Sequence, residues 1–339
     1  MDVLSSIITS TRFTPHEFNE SVLPSIQAEA TEAAHDGALA AIDAAHALAF
    51  RKGLGSSLFA SPAGPAFTSE DVKAFASSAF TKSGIFVFST GIEPSKLSKL
   101  VEKSLGSLPS SGSSASSVAA SKYFGGESRV LIESHGPQTI FIGYGAPGPA
   151  TPEIAVLAAH LSTTPAVKWS KGEASVFSNL PRGATIQTVL LPYSDATLFG
   201  FLVQAPDSEA VTQAGKAVVS ALKETSASIK ADALRKAVAK AKFNAATALD
   251  TRQGMIDAIS LQMLTGSKAS VESAFAGIEK VSGLAASQVS TAGLACVLLD
   301  RITDSSITQQ ALSKLAKSKP VYVAVGDVHS LPYADEIGL

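Results

Sequence analysis

Two stretches of this 339-residue chain share one design. Residues 84–94 read Gly-Ile-Phe-Val-Phe-Ser-Thr-Gly-Ile-Glu-Pro, and residues 320–330 read Pro-Val-Tyr-Val-Ala-Val-Gly-Asp-Val-His-Ser. Each alternates apolar side chains as a strand does, then ends in a glycine turn, so the chain reads as two copies of one plan. If each strand closes a copy, the second copy has roughly 200 residues leading up to it and the first fewer than about 100. The first half is therefore expected to be incomplete, short of the stretch where an active site would lie.

The length suits about two domains, each with its own core. Charge is nearly balanced, 27 basic against 29 acidic residues, with the signs interspersed, so no nucleic acid or acidic lipid is favoured as a partner. The single cysteine, Cys296, sits in the apolar run Gly-Leu-Ala-Cys-Val-Leu-Leu and reads as a buried thiol without an internal disulfide. No run approaches the roughly 18 apolar residues of a membrane span. The nearest, Ile186 to Ala205, is interrupted by Pro192, Tyr193, Ser194 and Asp195. With Asp2 and only Arg12 among its first dozen residues, the N-terminus makes a poor signal peptide and a poor mitochondrial presequence.

The pattern predicts a helix from Thr14 to Phe50, capped by Thr14 and Pro15 and stopped at Gly53-Leu-Gly55. A short helix follows over 69–80, capped by Ser69 or Asp71, then a strand over 84–90 and a helix over 95–106 closed by Gly106. Residues 107–121 are a Ser-rich linker. Beyond it the reading is strands at 129–134 and 139–144, a helix from Thr151-Pro152 to Leu161, and two or three strands within 173–204. Helices at 207–226, 228–250, 252–264 and 268–278, a strand around Val297, a helix at 307–317 and a strand at 321–325 complete it. This order predicts an α+β fold of two related α/β halves, each an antiparallel-rich sheet with helices on one face. The expected division is 1–106 as part of the first half, 107–123 as linker and 124–339 as the second half.

Gly143-Tyr-Gly145-Ala-Pro-Gly148 has dinucleotide-motif spacing, but Pro147 and Pro149 interrupt it, the helix begins only at Pro152, and no acid near Lys168 could hold a ribose. A plain strand-to-helix turn is expected. The six histidines, His16, His35, His46, His135, His160 and His329, form no H-E-x-x-H or H-x-x-E-H pair. His35 and His46 lie on nearly one helix face but about 16 Å apart. His16 and Glu20 are one turn apart, without a visible third ligand. Surface or capping histidines are expected. No G-x-S-x-G elbow occurs. Lys230, Arg235, Lys236, Lys240 and Lys242 mark a basic helix whose face is solvated or meets an acidic partner subunit.

Ile26-Gln-Ala-Glu29, Ala33-Ala-His35-Asp36 and His46-Ala-Leu-Ala-Phe50-Arg-Lys-Gly53-Leu-Gly55 resemble the pitrilysin and mitochondrial processing peptidase superfamily. Phe124-Gly-Gly-Glu127-Ser-Arg129, Gln138-Thr-Ile-Phe-Ile-Gly143 and Tyr193-Ser-Asp-Ala-Thr-Leu-Phe-Gly200 resemble its second half. Val167-Lys168-Trp169-Ser-Lys-Gly172, the ending Pro320-Val-Tyr-Val-Ala-Val-Gly326 and Leu331-Pro-Tyr-Ala-Asp-Glu336 narrow the resemblance to the core proteins of ubiquinol-cytochrome c reductase.

Active members of the superfamily hold zinc on an inverted H-x-x-E-H helix with a later glutamate as third ligand, and Glu29 falls at that later position. The H-x-x-E-H segment would lie about 75 residues upstream, whereas 28 residues precede Glu29 here. Active members also use an Arg and a Tyr in the second half, and Lys168 to Val176 offers neither. The resemblance implies a catalytically inactive relative with no catalytic, cofactor-binding or metal-binding residues. It implies a structural core subunit on the matrix side of the mitochondrial inner membrane. Its partners would be core protein 1, cytochrome b, cytochrome c1 and the iron-sulfur protein, with membrane association only through them. The alternative is a zinc-dependent processing peptidase or its presequence-binding subunit. A chain short of a sheet-forming segment is expected to be less stable than a complete subunit.

Overall fold

The computed structural model describes residues 1–61, 67–110, 120–132, 136–148, 150, 152–165, 176–177, 179–227, 229–264 and 319–339. The helices expected at 268–278 and 307–317, the strand around Val297, Cys296, His135 and Lys168 to Ala174 lie outside the described residues. Two compact units form, one from Met1–Glu32 with Phe59–Ala120 and one from Ala33–Leu58 with Ser121–Leu339.

The first unit is helical. Its elements are α1 (Asp2–Thr9), α2 (Pro15–Glu17), a π turn at Phe18–Val22 that runs into α3 (Leu23–His35), α5 (Ser69–Ala79) and α6 (Pro94–Leu105). Pro15 at the first turn of α2 follows the sequence reading, since that position needs no amide donor. The cap of α5 is Thr68 rather than Ser69 or Asp71. Its hydroxyl accepts from the Asp71 amide, and the Asp71 carboxylate accepts from the Thr68 amide at 2.8 Å. The strand expected over 84–90 does not form. No strand is present among the described residues of this unit, and a lone apolar run without a neighbour has no hydrogen-bond ladder to join. Phe86 is accordingly 52% exposed and Phe75, on α5, 73%.

The second unit is built on a mixed five-stranded sheet ordered β1 (Gly126–Leu131), β5 (Val321–Gly326), β2 (Gln138–Pro147), β4 (Ala196–Ala205), β3 (Thr185–Pro192). β1 runs parallel to β5 and the other pairings are antiparallel. The strands divide their side chains strictly by parity. Phe199, Phe201 and Val203 of β4, Ile140 and Ile142 of β2 and Tyr322 of β5 face α8 (Ser208–Ala227), through Val211, Ala214 and Val218. Leu198 and Leu202, Phe141, and Val321, Val323 and Val325 face the other way, onto α4 (Gly37–Phe50). A strand covered on both faces loses the polar alternation of a half-exposed one, which is why β4 reads Ala-Thr-Leu-Phe-Gly-Phe-Leu-Val.

α4 brings a helix to the second face. The helix predicted to run unbroken from Thr14 to Phe50 stops at His35 and restarts at Gly37, because the Asp36 carboxylate caps α4 by accepting from the amides of Ala38 at 2.8 Å and Leu39 at 3.2 Å. Ala41, Ala45 and Ala49, four residues apart, are fully buried and form one small-residue stripe against the sheet. α7 (Pro152–His160), α9 (Ala231–Leu249) and α10 (Arg252–Leu264) complete the unit. α9 packs on α7 through Leu234, Ala237 and Ala241.

The glycine motif lies inside this architecture. Gly143 and Gly145 are within β2, not in a turn, and only Gly148, at φ +85°, turns the chain toward α7. The Phe141 ring lies where a Cβ on Gly143 would stand, 2.4 Å away, and the Tyr123 ring does the same at Gly145, 2.1 Å away. These glycines make room for aromatic rings on the α4 face, not for a pyrophosphate.

Candidate functional site

The sequence motifs of greatest interest converge at the end of α4. His46 lies on that helix with Nδ1 2.7 Å from the Ile42 carbonyl and Nε2 2.6 Å from the Tyr193 hydroxyl. A carbonyl can only accept, so Nδ1 carries the proton and Nε2 accepts from Tyr193. Tyr193 sits in the β3–β4 turn, which its amide closes onto the Ala196 carbonyl at 2.8 Å. Burial pushes its phenol above the usual tyrosine range, which keeps it a donor. Phe50 packs against both rings, with centroids 6.3 Å from each.

The same turn holds the segment that enters β1. The Asp195 carboxylate accepts from the Ser121 amide at 2.8 Å, and this bond holds the carboxyl below the usual carboxylate range. The Tyr123 hydroxyl donates to the Lys319 carbonyl at 2.5 Å, ahead of β5. Arg129, on β1, gathers the chain's last segment. Its guanidinium donates to the carbonyls of Val328, Leu331 at 2.7 Å and Pro332 at 3.0 Å, and lies 4.0 Å from the Tyr333 ring centre. The Tyr322 hydroxyl donates to the same Pro332 carbonyl at 2.6 Å, and burial raises its pKa strongly. Apart from the His46–Tyr193 pair, the polar side chains described here reach backbone carbonyls and amides, and all of them tie distant segments together.

The other sequence candidates are not part of this cluster. Glu29 is exposed on α3, and His16, Glu20, His35 and His329 are exposed as expected. His46 and His160 are not surface histidines: both are half-buried, one in the aromatic cluster and the other at the end of α7. Desolvation, reinforced by Lys240, holds the His160 imidazole below its ordinary pKa. Among the described residues no group of three or more His, Cys, Asp or Glu side chains could hold a metal ion. No helix among them is long and apolar enough to cross a membrane. The interlock of His46 and Tyr193 and the Arg129 clasp escaped reasoning from spacing. Their only signal was that His46, Arg129 and Tyr193 all fell in the stretches that carry the family resemblance.

Residues 66–241 match the Peptidase M16 inactive domain. The class is that of a peptidase-like α+β protein without peptidase activity. Across its full length the chain is 36% identical to the mitochondrial cytochrome b-c1 complex subunit 2 of Cryptococcus neoformans, covering 73% of that protein. It is 34% identical to the Neurospora crassa protein of the same name, with 100% of this chain and 70% of that one aligned. It therefore belongs to the family of cytochrome b-c1 complex subunit 2, as a non-catalytic member of the M16 class. The relatives are mitochondrial proteins. A chain of complex III2 from Candida albicans, solved with Inz-5 bound, has the same fold, with a TM-score of 0.71 over 98% of this chain and 76% of its own length at 15% identity.

Proposed function

We propose that this chain is a structural core subunit of mitochondrial ubiquinol-cytochrome c reductase, held on the matrix side of the inner membrane. Core protein 1 is its immediate partner there, beside cytochrome b, cytochrome c1 and the iron-sulfur protein, and it reaches the membrane only through them. The observation that carries this is the 36% identity to subunit 2 of the complex along the entire chain. The matched domain is the inactive one, and the polar side chains of the second unit are engaged in tying segments together, as a scaffold requires.

In this scheme residues 1–106 and 124–339 belong to two related halves joined by the Ser-rich 107–123, with no catalytic, cofactor or metal residue in either. Ala33–Leu58, which carries α4, groups with the second unit, and α4 covers that unit's sheet. The test is native electrophoresis of detergent-solubilised mitochondria from the source cells, with this chain's peptides followed by mass spectrometry. They are expected to peak with the cytochrome subunits. Migration as a small soluble species would reject the assignment.

A further inference from the structure

We infer that the outer face of α9 is a docking surface for an acidic segment of a partner protein. Residues 230–252 carry six cations, Lys230, Arg235, Lys236, Lys240, Lys242 and Arg252, against two carboxylates, Asp232 and Asp250; of the six, Lys240 is turned to the α7 side, where it donates to the Ser162 carbonyl at 3.2 Å. In a chain of net charge −2, this stretch is locally basic, six cations to two carboxylates. The inner face of α9 is already occupied by its packing on α7. With about 3.6 residues per turn, Arg235, Ala239, Lys242 and Ala246 follow one another along the outward side, with Lys236 and Phe243 beside them. Arg235, Lys236, Ala239 and Ala246 are exposed, Lys242 is half-buried, and Phe243 keeps 44% of its surface in water.

On this face Ala239 and Ala246 lie between Arg235 and Lys242 on one side and Lys236 and Phe243 on the other, with Phe243 as its aromatic residue. The ion pair of Arg235 with Asp232 lies at the surface, the side chains 80% and 81% exposed, so it is weak and readily exchanged for a carboxylate from outside. A second copy of the helix would set cation against cation. A membrane surface fits less well, because an interfacial helix inserts a broad apolar face, and the apolar face of α9 is spent on α7. An acidic segment bearing one apolar residue to meet Phe243 complements both the charge and the exposed ring of this face. The inference goes beyond the proposed assembly, since it requires a protein partner but not that particular complex.

The test is zero-length carbodiimide coupling of the full chain in intact mitochondria of the source cells, with sites mapped by mass spectrometry. It is paired with the Arg235→Glu/Lys236→Glu variant and a Lys216→Glu control on α8. Cross-links from Lys236 or Lys230 to carboxylates in an acidic stretch of another polypeptide are expected, together with about tenfold weaker retention of that polypeptide by the variant and none by the control. Cross-links to a protein outside the cytochrome complex support this inference while rejecting the proposed assembly. Comigration with the complex, with no α9 cross-link and full retention by the variant, overturns this inference alone. Binding of the wild-type chain to vesicles one-third anionic lipid, lost in the variant and without protein cross-links, also overturns it.

Discussion

The Tyr193 hydroxyl donates to His46 Nε2 at 2.6 Å across 147 positions of sequence, while Nδ1 of the same ring is committed to the Ile42 carbonyl. One imidazole therefore fastens the β3–β4 turn to α4, the helix that covers the sheet's second face. Tyr193→Phe keeps the ring contacts and leaves Nε2 without its donor, so it should lower stability by about 1 kcal/mol. His46→Ala also removes packing and should lower it further. A double-mutant cycle of chemical-denaturation midpoints should show coupling between the two positions; additive effects would mean the bond carries no stability.

Arg129 should matter more than any other charged residue of the second unit. Its guanidinium serves three carbonyls of the closing segment while only 16% exposed. Arg129→Met keeps the stem and abandons those acceptors, for a loss of about 2–4 kcal/mol. Limited proteolysis should then cut within 327–339 at a protease concentration that leaves the wild type intact. Equal resistance in both would argue against the clasp.

Gly145 tests the interpretation of the glycine motif. A Cβ there would stand 2.1 Å from Cδ2 of Tyr123, so Gly145→Ala should displace the ring and cost about 1–3 kcal/mol. Tyr123→Ser should recover part of that loss in the double variant, because the obstacle is the ring itself. If nucleotide binding were the reason for the glycine, removal of the ring would recover nothing.

His160 makes stability depend on pH in a defined direction. Its folded pKa lies below the ordinary imidazole value of 6.5, so between the two values the unfolded chain binds more protons than the folded one. Stability should be unaffected by this residue above about pH 7.5, fall as the pH drops through the unfolded pKa, and level off below the folded one. His160→Gln should flatten that part of the profile. Asp71, Asp195 and Asp327, all lowered by hydrogen bonds to their carboxylates, act in a separate window: their contribution is present above 3.8 and lost as the pH falls through their folded values. A profile for His160→Gln superimposable on the wild type would remove His160 from the account.

Local chemistry was legible in the chain. Proline at the first turn of α2, the start of α7 at Pro152, β1, β2 and β5, and α8 and α9 were all signalled by periodicity and turn residues, which act over a few positions. The motifs of the M16 class were legible too, because they are strings of residues in order, and they led to the family. What failed depended on neighbours far away in sequence. The apolar run at 84–90 alternates as well as β5 does, yet β5 has β1 and β2 on either side and 84–90 has no strand beside it among the described residues.

Likewise nothing local says that Gly143 and Gly145 yield to Phe141 and Tyr123, that His46 meets Tyr193, or that Arg129 closes on residues 328–332. The sequence by itself determined the family and those elements whose signals are local, since propensity, capping and motif order are properties of short stretches. Tertiary structure alone decided which face each element buries and which polar groups meet, since hydrogen bonds and burial are settled by whatever the fold brings within about 3 Å.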